Sequence, residues 1–138
     1  MEKMFELIAK SENLPPFRVT LRELLKQSDV NEKKSGEILL AVQEVLTNVV
    51  RHAYQGQAGK IKVVFQDSHD QISVTIQDFG RPFDLTQVPD PELPKKDPGG
   101  LGIFLIKKLM DQVEYTSPQG EGNLLRLVKF KKNAPQVS

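Results

Sequence analysis

The sequence predicts a mixed α/β domain of the α+β sandwich type, with helices gathered on one face of a mostly antiparallel sheet. Three observations predict it. Two pairs of short alternating segments each flank a turn, and three further segments repeat apolar residues at helical spacing. Their order is strand, helix, helix, two strands, long loop, helix, two strands. The 138 residues, 38% hydrophobic and 27% charged, suffice for one such domain. It is expected over residues 1–132, with a polar tail at 133–138.

Met4 to Lys10 alternates weakly and reads as an edge strand. Pro16 to Gln27 carries Phe17, Leu21, Leu24 and Leu25, a helical stripe opened by proline in its first turn. Asn31 to Tyr54 is the strongest helix, capped by Asn31 and closed before Gly56. Ile61, Val63 and Phe65, then Ile72, Val74 and Ile76, alternate around Ser68-His69-Asp70 and read as a hairpin. Asp84 to Pro98 holds four prolines, which argues against helix or central strand there. A loop of that length in a small domain reads as a lid, taken as residues 84–99. Leu101 to Gln112 is the third helix. Val113 to Ser117 and Leu124 to Phe130 form a second hairpin around Pro118-Gln119-Gly120-Glu121-Gly122.

Lys plus Arg is 19 and Asp plus Glu is 18, a net charge of +1, which argues against direct nucleic-acid binding. Without cysteine there is no disulfide scaffold, thiolate metal site or thiol nucleophile. No apolar run is long enough to span a bilayer. Met1-Glu2-Lys3-Met4 does not open a signal peptide, so a reducing, cytoplasmic setting is expected.

On the second helix Glu44 and Asn48 are four apart and stack at the edge of the apolar arc, with His52 four further on. This border offers a carboxylate, an amide and an imidazole. An ordinary helix flank and a cleft wall able to serve a hydrated metal ion both fit it. Asp78-Phe79-Gly80 leaves a strand into a turn, either as plain turn chemistry or as a fixed acceptor for a flat polar ligand. Beyond the lid, Gly99-Gly100-Leu101-Gly102 runs into a helix. That is either a glycine hinge or a place where backbone can approach an anion closely. No Lys-Ser or Lys-Thr follows, so it is not a Walker loop.

Together these boxes resemble the GHKL ATPase superfamily, which includes gyrase, Hsp90, sensor histidine kinases and MutL, built on a Bergerat-type ATP-binding fold. The wording is most similar to the bacterial anti-sigma-factor serine kinases. Glu44-Val45-Leu46-Thr47-Asn48 with His52-Ala53-Tyr54 carries the likeness, as do Asp78-Phe79-Gly80-Arg81-Pro82-Phe83-Asp84 and Gly99-Gly100-Leu101-Gly102-Ile103 with Leu109-Met110-Asp111. It spans roughly Met4 to Lys131. Pro82 stands where sensor kinases have a second glycine.

The resemblance implies a Mg-ATP-dependent serine/threonine protein kinase that phosphorylates an anti-anti-sigma (STAS-type) partner and sequesters a sigma factor, as a homodimer. Glu44 would orient or deprotonate the attacking hydroxyl, and Asn48 would hold Mg²⁺. Asp78 would accept the adenine amino hydrogen, with Gly80 admitting the base. Gly100, Leu101 and Gly102 would bind phosphates, Arg51 and His52 would lie near phosphate or lid, and Arg18 would contact a partner. Lys95 and Lys96 would close with the lid on the triphosphate. Where many family members support adenine through a threonine, this chain has Asn123, a hydrogen-bonding substitute, followed by Leu124. Two other readings remain: a nucleotide-gated binding regulator without phosphotransfer, and a stand-alone histidine-kinase-type ATPase domain.

Overall fold

The computed structural model describes residues 1–92 and 101–132. Strand β1 (Glu2–Ile8) leads through a 3₁₀ turn (Ser11–Asn13) into α1 (Leu14–Gln27) and then α2 (Glu32–Asn48). Strands β2 (Lys60–Asp67) and β3 (Gln71–Asp78) form the first hairpin, with α3 (Leu101–Leu109) next. Strands β4 (Gln112–Thr116) and β5 (Asn123–Phe130) complete the fold. The sheet order is β1-β2-β3-β5-β4, and every neighbouring pair is antiparallel.

Period-two alternation decides which face the helices cover. Ile61, Val63 and Phe65 of β2, Ile72, Val74 and Ile76 of β3, and Leu125 and Leu127 of β5 are buried. They join one hydrophobic cluster with Leu21 and Leu25 of α1, Ile38, Val42 and Val45 of α2, and Ile106 of α3. The intervening Lys62, Thr75, Gln77 and Arg126 are only half-buried. Among the described residues no helix is long and apolar enough to cross a membrane.

The caps follow the sequence. The Asn31 side chain accepts the Lys34 amide at 2.8 Å, and α1 carries proline in its first turn, beginning at Leu14 rather than Pro16.

Three boundaries differ from expectation for physical reasons. The second helix is not α-helical to Tyr54: it widens at Asn48 into a π turn over Val49–Ala53, with the Tyr54 amide donating to Val49 O. Its last carbonyl is diverted, since Ala53 O accepts the Arg81 amide at 2.7 Å. The third helix stops at Leu109 rather than Gln112, because the Asp111 amide already pairs with Val128 O in the sheet. The expected lid is not all loop. Asp84 caps a 3₁₀ turn, Leu85–Gln87, through the Thr86 amide at 2.9 Å, and Leu85 is buried. Lys107 of α3 donates to Val88 O and pairs with Asp90 at 3.7 Å, which fixes the start of this segment. The remainder of the expected lid (residues 93–99), Gly100 and the tail (133–138) lie outside the described residues.

Candidate functional site

The site is a track along α2 and its π turn, walled on the other side by the ends of β3 and β5. Successive positions four apart advance about 6 Å along a helix, so Glu44, Asn48 and His52 mark out about 12 Å. Glu44 lies at the end nearest α3. An ideal Cβ placed on Gly102 would lie 2.4 Å from Glu44 Oε2, so a larger residue there would push the carboxylate out of its present position. The first described turn of α3 thus packs against a half-buried acidic group.

In the middle sits Asn48. Two buried side-chain polar atoms lack a hydrogen-bond partner among the described residues, Asn48 Nδ2 and Asp67 Oδ1. The Asp67 oxygen is 2.6 Å from the Lys131 ammonium and is therefore charge-paired. That leaves the Asn48 amide as the orphan. A buried unsatisfied polar group costs about 1–3 kcal/mol, which a ligand can recover.

The far end is a small pocket lined by Asn48, His52, Asp78, Arg81, Tyr115 and Asn123 over apolar walls from Val45, Val49, Ile76, Leu85 and Leu125. Its volume is about 30 Å³, less than a purine needs. Exposed Phe83, whose ring lies 5.9 Å from that of His52, is the side chain best placed to swing aside. Asp78 is 7% exposed, and its Oδ1 accepts from the Gly80 amide at 2.9 Å and from Asn123 Nδ2 at 2.8 Å. Gly80 must be glycine for a second reason: its Cβ would lie 2.4 Å from Ala53 O. The loop after Asp78 therefore docks on the π turn.

Tyr54 fixes the same loop from below. Its hydroxyl accepts from the Phe79 amide at 2.8 Å and donates to Lys60 O. Burial, with the nearby Asp78 charge, raises its pKa above the ordinary 10. Above pH 10 the unfolded chain releases this proton before the folded one does. Stability should then fall as pH rises from 10 toward the folded value, and be unaffected by this group below pH 10. Denaturant midpoints between pH 9 and 12 check this: the fall should be shallower in Tyr54→Phe.

The structure brings Glu44, Asn48, His52, Asp78, Gly80, Leu101, Gly102 and Asn123 to this track or its ends, but not Arg51. Arg51 lines a different, roomier cavity of about 250 Å³ between α1 and α2, together with Arg18 and Gln43. Arg81, Phe83 and Tyr115 line the pocket without having been assigned a role from the sequence. The position of Arg81, directly after Gly80, was the available signal. Among the described residues no three His, Cys, Asp or Glu side chains cluster to hold a metal.

Comparison with known proteins agrees with this geometry. The family model for the histidine kinase-like ATPase domain matches residues 7–129. The chain belongs to the histidine kinase-like ATPase family. A relative in this family, the Oceanobacillus iheyensis serine-protein kinase RsbW, is 32% identical over 121 residues, covering 81% of this chain and 77% of the relative. The Staphylococcus epidermidis serine-protein kinase RsbW is 31% identical over 136 residues, covering 91% and 84%. Among solved structures, the RsbU and RsbW domains of a Mycobacterium tuberculosis protein superpose with a TM-score of 0.68 at 18% identity. That match covers all of this chain and 35% of the other, and it bears on the fold alone. A blue-light activated histidine kinase of Erythrobacter litoralis superposes with a TM-score of 0.55 at 27% identity, covering 74% of this chain and 32% of that one.

Proposed function

We propose that this chain is a Mg-ATP-dependent serine/threonine protein kinase that acts as an anti-sigma regulatory factor. It would phosphorylate an anti-anti-sigma (STAS-type) partner and sequester a sigma factor. The observation that carries the nucleotide half of this reading is the orphaned Asn48 amide, midway between a held carboxylate at Asp78 and the Glu44–Gly102 contact. The kinase half is supported by the serine-protein kinase relatives that cover most of the chain.

Each residue has a stated job in this reading. Asp78 accepts from the exocyclic amine of adenine, and the apolar wall of Val45, Val49, Ile76 and Leu125 takes the ring. The Asn48 side chain, turned to present its oxygen, would hold a Mg²⁺ ion beside the phosphates. Such an ion needs only one or two protein ligands. When bound, Mg²⁺ neutralises charge on the phosphates. The start of α3, with Leu101 and Gly102, offers amides to phosphate oxygens, and Glu44 orients the attacking hydroxyl and accepts its proton. Gly100, Lys95 and Lys96 belong to this reading as phosphate and lid residues.

Calorimetric titration with ATP, in Mg²⁺ and then in EDTA, tests the nucleotide half. Saturable binding that weakens at least tenfold without Mg²⁺ is expected. No binding in either buffer would overturn it.

A further inference from the structure

Asn123 stands at the start of β5 and is 4% exposed. Its side chain has no hydrogen-bonding capacity left for a base. The amide nitrogen donates to Asp78 Oδ1 at 2.8 Å and to Gly80 O at 3.1 Å. The amide oxygen accepts from Ser117 Oγ at 2.8 Å and from Tyr115 OH at 3.2 Å. An amide has two donors and two lone pairs, and here all four are used. The orientation is fixed by its partners, since a carboxylate and a carbonyl only accept. Asn123 thus lines the pocket with all four of its hydrogen bonds made within the protein.

What the network does is set Asp78. Oδ1 is held by two donors, and no hydrogen bond among the described residues engages Oδ2. The tether runs further, because Tyr115 OH also accepts the Phe83 amide at 3.1 Å, at the root of the segment that leads to residues 93–100. Resting on the nucleotide reading above, we infer that Asn123 is a positioning residue that sets base selectivity. It holds Asp78 so that a single acceptor-only oxygen faces the pocket, which takes a purine bearing a 6-amino group and repels one bearing a 6-oxo group. Without Asn123 the carboxylate can turn about its own axis, and water can enter to bridge a 6-oxo purine.

The test is the ratio of affinities for ATP and inosine triphosphate, measured on the full chain by displacement of a fluorescent nucleotide. A site built on a specific hydrogen bond rejects its mismatched analogue strongly, so the wild type should prefer ATP by about a hundredfold or more. Asn123→Ala should cut that ratio about tenfold, a change of about 1.4 kcal/mol. Asn123→Thr, whose hydroxyl can still donate to Asp78, should restore most of it. Tyr115→Phe leaves Asn123 in place but removes one of its donors, and should lower the ratio a few-fold should Asn123→Ala fail to fold. General loosening of the pocket would weaken both nucleotides and leave the ratio alone. An unchanged ratio in folded Asn123→Ala, or in Tyr115→Phe if that variant alone folds, overturns the inference while leaving the nucleotide reading intact. A wild type that binds both equally overturns the inference alone, and one that binds neither overturns the nucleotide reading with it.

Discussion

Glu44→Ala is expected to leave Mg-ATP affinity within about twofold of wild type while lowering phosphoryl transfer roughly 10²- to 10⁴-fold, the range for loss of a general base. The separation follows from position. Glu44 lies at the α3 end of the track, one helical turn beyond Asn48, and is not among the side chains that line the pocket, so its loss removes nothing that grips the base. Its carboxylate is also what Gly102 makes room for. Gly102→Ala should therefore displace Glu44 and lower turnover too. Single-turnover transfer, measured beside equilibrium binding, separates the two effects. Equal losses in binding and transfer for Glu44→Ala would show that Glu44 binds nucleotide rather than assists the chemistry.

Asn48→Ala should behave in the opposite manner. Mg-ATP affinity is expected to fall at least about a hundredfold, or roughly 2.8 kcal/mol at 1.4 kcal/mol per decade. The ligand-free protein should be no less stable, because the amide removed is buried and unpartnered. Loss of affinity with an unchanged or slightly raised melting temperature is an uncommon pairing for a half-buried residue. A general packing defect would lower both. Wild-type affinity in Asn48→Ala would remove the metal role from this residue.

The sheet and helices were legible because their signals are local and repetitive. Ile61, Val63 and Phe65 against Ile72, Val74 and Ile76 can face one core only as a hairpin, and Asn31 caps its helix within three residues. The π turn left no such trace. Val49 and Val50 suit an α-helix equally well, and the widening goes with a tertiary bond from the Arg81 amide to Ala53 O. Leu85 was hidden by the prolines around it, although the Asp84 cap on Thr86 was a local signal that a 3₁₀ turn begins there.

The site was legible in its residues more than in their partners. Glu44, Asn48 and His52 follow from helical spacing. Arg51 was separable on the same ground, since a neighbour of His52 lies about 100° around the helix and faces elsewhere. Asn123 was recognised for its hydrogen-bonding capacity, but the carboxylate that consumes it lies 45 residues away in sequence. Nothing in the spacing of Tyr115 announces that its hydroxyl joins Asn123 to Phe83.

The central claim is phosphoryl transfer to a protein hydroxyl, and one measurement addresses it directly. Purified chain is incubated with Mg²⁺, γ-labelled ATP and phosphatase-treated, desalted protein from the source cells. The labelled protein is then exposed to acid and to alkali. Label on a protein other than the chain itself, stable to acid and lost in alkali, is the predicted result and marks phosphoserine or phosphothreonine. Acid-labile label would contradict it in favour of a histidine-kinase-type domain. Absence of label while Mg-ATP binds would contradict it in favour of a nucleotide-gated regulator that holds its partner without modifying it.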